Sequence, residues 1–320
     1  MEKTAVRYAT YRNGAEEINR AVRGDPKAFV DKTEADYHAD IAAIAKEIVE
    51  ENPVCRLVML AGPSSSGKTT TAHLLKKALE NAGVGSVSIS LDDFYLGESL
   101  APLLPDGKRN FECLEALNVS EIRKCLSSLV CDRRCEMPVF DFEQHVPYPH
   151  RRQVVLRDRD VAVVEGIHAL NPTLLRDLPP KFRVHRIYIS VKQGVRDCTG
   201  EILGPNDIRL IRRVVRDYHF RQTSPVATLS MWPNVMRGEY RYIKPFRGGA
   251  DITVNSFHAY ELCVLKEPAV KLLSTVPEDS PEREKAERLI NAVSCLETVD
   301  PALVPKNSMI REFIGGGIVE

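Results

Sequence analysis

The chain has 320 residues, enough for one large domain or two modest ones with a substantial core. Hydrophobic residues make up 43% and charged residues 28%, which are ordinary globular values and exclude disordered and fibrous proteins. The 44 lysines and arginines balance 44 aspartates and glutamates, so no overall positive charge favours nucleic acid or an anionic membrane, and any anion site must be local.

The first half of the chain contains four predicted segments. Residues 1–37 are polar and weakly patterned, which predicts an arm or the remnant of a larger region. Residues 38–51 place apolar side chains on one helical face and predict an amphipathic helix. The short apolar run 57–61 predicts a buried strand, and after a glycine-rich turn a helix is predicted over 68–81.

Further strands are predicted for residues 87–91, 161–164 and 184–191. Strands that alternate with helices favour an α/β fold with a doubly wound, mostly parallel sheet flanked by helices. In such sheets ligands bind beyond the carboxyl ends of the strands, where Gly62, Asp92 and Glu165 fall. Two C-terminal helices are predicted over 260–273 and 281–296.

A phosphate-binding loop is predicted where a glycine is followed by four residues and then by Gly-Lys-Thr. The residues expected to bind the nucleotide are Gly62, Pro63, Ser64, Ser65, Ser66, Gly67, Lys68, Thr69 and Thr70. The loop follows a predicted strand and opens a predicted helix, so main-chain N–H groups can face phosphates. We expect Lys68 to reach the β- and γ-phosphates and the Thr69 hydroxyl to ligate Mg²⁺. The alternative is a serine-rich turn that only caps a helix.

Acidic residues end two of the predicted strands. Glu165 follows a buried run and is expected to hold the metal together with Thr69, although an acid can end a strand simply because it is solvated. Asp92 and Asp93 end another strand, and neighbours on a strand point to opposite faces. We therefore expect one of them to face the phosphates, where a carboxylate can take a proton from an acceptor hydroxyl.

The segment 208–218 predicts a helix with an unusual face. Four of its arginines fall within an arc of about 100°, opposite an apolar stripe; they are Arg209, Arg212, Arg213 and Arg216. Asp217, at the edge of this face, is the single acid of the segment that could relieve their repulsion. Such a face suits a bound polyanion, which predicts a phosphate-clamping lid rather than a merely solvated helix.

These motifs resemble the phosphoribulokinase/uridine kinase family, and in particular its uridine kinase branch. The matching segments occur in the family's order and are residues 62–69, Ser90–Tyr95, Asn110–Glu112, Pro138–Phe142, Val164–His168 and Arg209–Asp217. More closely, segments 217–221, 228–233 and 307–316 resemble bacterial-type uridine kinases that carry threonyl-tRNA-synthetase-like domains ahead of the kinase. Residues 1–54 are expected to be too short for those domains.

The resemblance implies ATP- and Mg²⁺-dependent phosphorylation of a nucleoside 5′-hydroxyl. Asp92 matches the catalytic carboxylate and acts with Lys68, while Asp93 falls on a variable position. The lid implies catalytic roles for Arg209, Arg213 and Arg216 and a nucleotide contact for Arg212. The implied acceptor pocket consists of Asp92, Tyr95, Glu112, Phe140, His145 and Arg221. Glu112 stands where the family usually has aspartate, and Phe140 stands near a base-recognising tyrosine whose hydroxyl it lacks.

We therefore expect three parts: an N-terminal arm and amphipathic helix over 1–54, a P-loop kinase domain over 55–258 with its lid at about 205–225, and a C-terminal helical extension over 259–320. The expected function is pyrimidine nucleoside kinase. Alternatives are another small hydroxyl acceptor and a non-catalytic nucleotide-binding module. A GTPase is disfavoured because the chain has no Asn-Lys-x-Asp motif.

The remaining expectations concern partners and location. Eight scattered cysteines are typical of reduced thiols in a cytoplasmic protein, and Cys131 and Cys135 lack two well-spaced further ligands for zinc. No apolar run approaches the ~20 residues of a membrane span, so no membrane association is expected. The partner is expected to be a small nucleoside, without nucleic acid, and the chain is a candidate homo-oligomer.

Overall fold

The computed structural model describes residues 13–51, 55–104, 107–141, 144, 146–180 and 182–318. Its α-helices are α1 (Ala15–Gly24), α2 (Pro26–Glu50), α3 (Lys68–Asn81), α4 (Val119–Cys131), α5 (Pro205–Arg221), α6 (Pro225–Gly238), α7 (Glu261–Leu273), α8 (Arg283–Ser294) and α9 (Arg311–Ile314). Its strands are β1 (Cys55–Ala61), β2 (Ser86–Ser90), β3 (Arg134–Asp141), β4 (Val146–Val155), β5 (Val161–Glu165), β6 (Arg183–Ser190), β7 (Val195–Asp197), β8 (Gly200–Leu203) and β9 (Ile252–Asn255).

A five-stranded parallel sheet forms the centre of the molecule, in the order β2-β5-β1-β6-β9. The predicted α/β fold is confirmed. The carboxyl ends of three strands lie level, because Glu165 of β5 pairs with Ser90 of β2 on one side and with Leu60 of β1 on the other. The predicted site residues that follow these strands are thereby gathered at one edge.

Both faces of the sheet are covered, which explains the continuous apolar runs of its central strands. Along β1, Val58 and Leu60 pack into a cluster with α2, α3, α5, α7 and α8. Leu57 and Met59 point to the other face and pack with α4 and the β3–β4 hairpin. This alternation follows the two-residue period of a strand.

Two antiparallel hairpins lie outside the parallel sheet, β3 with β4 and β7 with β8. Neither was predicted. Strand β4 is exposed along most of its length and lacks the apolar alternation that identifies a half-buried strand, and in β3 that alternation covers only residues 134–137 before Pro138 interrupts it. The hairpin matters to the site because β3 carries Phe140.

The arm predicted over residues 1–37 is wrong from Ala15 onward, where the chain is helical, and residues 1–12 lie outside the described residues. Asp25 ends α1, and its side chain caps α2 by accepting a hydrogen bond from the Ala28 N–H at 2.9 Å. Pro26 occupies the first position of α2, where its missing N–H costs nothing. The predicted helix 38–51 is the second half of this longer helix.

The two ends of the described chain meet at a buried carboxylate. Glu34 of α2 is buried and accepts hydrogen bonds from the Ser308 hydroxyl, at 2.6 Å, and from the Tyr260 hydroxyl. Burial lowers the pKa of neighbouring His258, which favours its neutral form although Glu34 opposes the shift. Helices α7 and α8 pack in the same apolar cluster as α2 and the sheet, so the C-terminal part is integrated into the core.

None of the helices within the described ranges is both long and apolar enough to cross a membrane.

Candidate active site

The predicted phosphate loop lies between β1 and α3, at the edge where the strands end. Gly62 is required by close approach, since a Cβ there would lie 2.2 Å from the Ile189 carbonyl oxygen. Gly67 has φ +83°, a left-handed conformation that L side chains rarely adopt, and its φ allows the turn into α3. The Ser66 N–H donates to the Pro63 carbonyl at 3.2 Å, which closes the loop.

The loop fits an anionic ligand. The hydroxyls of Ser65 and Ser66 are buried and have no hydrogen-bond partner within the described part of the chain. Lys68 donates to the Pro63 carbonyl at 3.2 Å, and burial lowers its pKa against the opposing charges of Glu165 and Asp92. A bound phosphate would supply acceptors to these donors at the positive end of α3.

Two carboxylates face Lys68 from the neighbouring strands. The Ser90 hydroxyl links the Glu165 carboxylate to the main chain of Asp92: it donates to Glu165 Oε1 at 2.8 Å and accepts from the Asp92 main-chain N–H at 3.3 Å. Burial raises the pKa of Glu165 to about 7, and the negative charge of Asp92 adds to the shift. Burial likewise raises the pKa of Asp92, opposed mainly by Lys68.

Asp92 and Asp93 are separated as expected, for a different reason. They lie in a 3₁₀ turn over Leu91–Phe94 that follows β2, so Leu91 does not extend the strand as predicted. Successive side chains of such a turn diverge by about 120°. Asp93 consequently faces the β3–β4 hairpin, where it accepts a hydrogen bond from the Phe140 N–H at 3.4 Å.

A cluster of aromatic rings lies near Asp92, since burial and then the charge of Asp92 raise the pKa of Tyr95. The Tyr95 ring lies 5.9 Å from that of Phe111 and 5.7 Å from that of Phe140, centroid to centroid. Glu112 lies against Gly238 of α6, and burial raises its pKa to about 7, opposed first by Arg213. These predicted pocket residues are brought together. His145 lies outside the described residues.

The arginine face of α5 is real, but the expectation that it is unneutralised is wrong. Arg209 is 2% exposed and pairs with Glu239 at 2.7 Å, its guanidinium lying over the Trp232 ring. Arg212 is fully buried and pairs with Glu261 at 2.6 Å. Both acids come from other parts of the chain, which is why the helix sequence did not reveal them.

Arg209 and Arg212 also hold the phosphate loop. Arg209 Nε donates to the Ser64 carbonyl at 2.9 Å, and Arg212 Nη1 donates to the Ser65 carbonyl at 3.2 Å. Their contacts to main-chain oxygens and acids make them supports of the loop. The catalytic role expected for Arg209 and the nucleotide contact expected for Arg212 stay predictions. We call these two the brace arginines.

The other three arginines share one acid. Asp217 is 2% exposed and pairs with Arg216 at 2.7 Å, with Arg213 at 3.0 Å and with Arg221 at 3.7 Å. Arg216 and Arg221 stabilise the charged form of Asp92, and Arg213 does so for Glu112. We call Arg213, Arg216 and Arg221 the cleft arginines, because their excess positive charge faces the carboxylates of the site.

The arrangement suits Mg²⁺ held largely by substrate. In the described ranges no three His, Cys, Asp or Glu side chains are grouped closely enough to hold a metal alone. Mg²⁺ is commonly bound through one or two protein ligands together with phosphates and water. Glu165 ends β5 and Thr69 follows Lys68 in the first turn of α3, and both carry side-chain oxygens of the kind that Mg²⁺ binds.

Glu312 is a site residue that the sequence analysis missed. It belongs to α9 and accepts a hydrogen bond from the Thr70 hydroxyl at 3.2 Å. The segment 307–316 that contains it was singled out by resemblance, but nothing in that segment predicts the contact with Thr70, from which 242 residues separate it.

Comparison with known proteins agrees with this geometry. The family model described as phosphoribulokinase/uridine kinase family matches residues 57–262. Uridine kinase of Halobacterium salinarum is 28% identical over 196 residues, spanning 61% of this chain and 77% of its own length. Uridine kinase of Ligilactobacillus salivarius is 27% identical over 206 residues, spanning 64% and 86%.

Among solved structures, a protein provisionally assigned as a fructose transport system kinase from Silicibacter sp. TM1040 has the same fold. Its TM-score is 0.51 at 23% identity, covering 67% of this chain and 98% of that one. With a family model spanning more than half of the sequence, the chain belongs to the phosphoribulokinase/uridine kinase family and is a kinase acting on a nucleoside or another small molecule.

Proposed function

We propose that the chain transfers the γ-phosphoryl group of MgATP to the 5′-hydroxyl of a pyrimidine nucleoside, uridine or cytidine. The observation that carries the proposal is that the Ser90 hydroxyl hydrogen-bonds both the Glu165 carboxylate and the Asp92 main-chain N–H, while the charges of both acids act on Lys68. One carboxylate is then available to the metal and the other to the acceptor. The similarity to uridine kinases supports the nucleoside.

The residues divide the work of an in-line transfer, which needs positioning and charge neutralisation more than covalent help. When bound, MgATP supplies the phosphoryl group and a cation that offsets its charge. Glu165 and Thr69 hold the metal, and Lys68 with the cleft arginines neutralises the transferring group. Asp92 orients the acceptor hydroxyl and takes its proton, a role helped by the raised pKa that burial gives it.

The aromatic cluster around Tyr95, together with Glu112, binds the acceptor nucleoside in this proposal. Tyr95 and Phe140 offer faces and edges for a planar base, and Glu112 offers a carboxylate for ribose hydroxyls. Phe140 contributes no hydroxyl, so contacts at that position are apolar.

The test replaces Asp92 and varies the acceptor. Asp92→Asn lowers kcat by at least about 100-fold, because general-base catalysis contributes 10²–10⁴, while MgADP binding measured by calorimetry is retained. Asp93→Asn, which faces the hairpin, is the matched control and keeps turnover within about threefold. Full turnover by Asp92→Asn would contradict the assignment of the base.

ADP release is then measured with nucleosides, free sugars and sugar phosphates. Stimulation by uridine or cytidine supports the proposal. Stimulation by sugars alone would assign another acceptor, and MgADP binding without stimulation by any hydroxyl compound would indicate a non-catalytic module.

A further inference from the structure

The C-terminal segment 305–315 packs directly on the phosphate loop. A Cβ at Gly67 would lie 2.4 Å from Met309 Sδ, so the methionine contacts the glycine that turns the chain into α3. The Phe313 ring lies 5.0 Å from the guanidinium of brace arginine Arg212. Met309 and Phe313 are fully buried. Residues far away in sequence therefore pack against one side of the phosphate loop.

This segment is held firmly. Arg311 donates from its guanidinium to four main-chain carbonyls, those of Pro301 at 2.9 Å, Val304 at 2.5 Å, Pro305 at 3.4 Å and Gly315 at 3.1 Å. Ser308 donates to the buried carboxylate of Glu34. A residue on this segment keeps its position when a ligand enters, because displacing it would break buried packing and these hydrogen bonds.

Glu312 places a carboxylate from this segment at the N-terminus of α3. It accepts from Thr70, in the first turn of that helix, and its charge raises the pKa of Lys68 against the effect of burial. Within the described residues no lysine or arginine forms an ion pair with it. Helix N-termini attract anions because their potential is positive. Here the negative charge of Glu312 already offsets part of that potential.

We propose that Glu312 is a fixed internal anion of the nucleotide site, whose charge opposes the incoming phosphates, lowers nucleotide affinity and makes binding depend on the divalent cation that neutralises them. The proposal rests on the proposed function only in assuming that the loop binds nucleotide. Glu312 is a positioning residue in this scheme, since it acts on the ligand through charge and through Thr70 and Lys68.

The experiment measures ADP binding by calorimetry with Mg²⁺ and with EDTA. Glu312→Gln keeps an acceptor for Thr70 and removes the charge, so MgADP binds about threefold more tightly and free ADP, with two more negative charges, about tenfold more tightly. Glu312→Asp retains the charge and stays near the wild type. Glu284→Gln is the matched control, removing one negative charge from an exposed position of α8, and leaves both affinities unchanged.

Glu312→Ala is measured in parallel, with thermal unfolding to verify that each variant is folded. Equal affinities for wild type and Glu312→Gln would overturn the inference alone. Weaker binding by Glu312→Gln would also overturn it, since Glu312 would then assist the nucleotide. Absence of ADP binding by every variant would overturn the proposed function and this inference together.

Discussion

The brace arginines and the cleft arginines occupy one helix, yet they differ in what neutralises them. Arg209 and Arg212 each pair with a different buried acid: Arg209 with Glu239, which also pairs with Lys244, and Arg212 with Glu261. Among the residues that the structure describes, the three cleft arginines share Asp217 as their one ion-pair partner, which leaves net positive charge beside the carboxylates of the site. A paired arginine can support the loop's main chain, whereas an arginine with surplus charge can act on a ligand. Four predictions test this division.

The largest effect is expected when a brace arginine is lost. Arg212→Met leaves Glu261 buried without its counter-charge, which lowers the free energy of unfolding by about 3–5 kcal/mol. Denaturant unfolding measures it. The double variant Arg212→Met/Glu261→Gln removes the stranded charge and recovers part of the loss. A loss below about 1 kcal/mol in the single variant would contradict the assignment of Arg212 as a buried support.

A cleft arginine should show the opposite behaviour. Arg216→Gln leaves Asp217 paired with Arg213 and Arg221, so stability changes little. Its kcat falls about 100-fold, or about 2.7 kcal/mol, because a cation near the transferring group is lost. Steady-state kinetics with thermal unfolding separates the two quantities. If Arg216→Gln strongly lowers stability and leaves kcat unchanged, Arg216 behaves as a brace arginine and the division into brace and cleft arginines is wrong.

A conservative change at the other brace position tests support of the loop. Arg209→Lys keeps the charge, but an ammonium cannot both pair with Glu239 and donate along the same plane to the Ser64 carbonyl. The KM for ATP rises about tenfold, with kcat within about threefold. If kcat falls and KM stays constant, Arg209 belongs with the cleft arginines.

The smallest expected effect is a pH dependence of MgADP affinity that comes from Glu165. Burial raises the pKa of Glu165 to about 7, and the metal requires its ionised form. The ionised fraction rises about fourfold between pH 6.5 and 8, and MgADP binding strengthens by a similar factor. In Glu165→Gln only the pH dependence caused by titration of the ligand itself remains. In Arg209→Lys the full pH dependence is retained. An identical profile for Glu165→Gln would remove Glu165 from the metal site.

The sequence predicted the central part of the fold because its signals are local. The run 57–61 and the helix 68–81 with its glycines specify the phosphate loop without help from distant residues, and the structure has them as β1 and α3. The site edge was also predictable, since parallel strands end at the same edge. Whether the individual side chains act as proposed stays a prediction.

What could not be predicted depends on residues distant in sequence. Glu239 and Glu261 lie in other elements and neutralise two arginines of α5. The sequence of the helix alone therefore suggested that its arginines are unpaired and bind a polyanion. The contact of Glu312 with Thr70 has no signature at either position. The missed start of α2 is different, because Asp25-Pro26 is a local cap signal that was present in the sequence.

The carboxylate of Glu34 sets an order of events during synthesis. Its partner Ser308 leaves the ribosome 274 residues later, after every strand of the sheet. The nascent chain can pair its strands before then, but Met309 and Phe313, which pack on the phosphate loop and on Arg212, and the partner of the buried acid are synthesised later. The loop therefore acquires its full packing only after residue 308 has been added, and a chain truncated before that residue would carry an intact loop motif without the packing that shapes it.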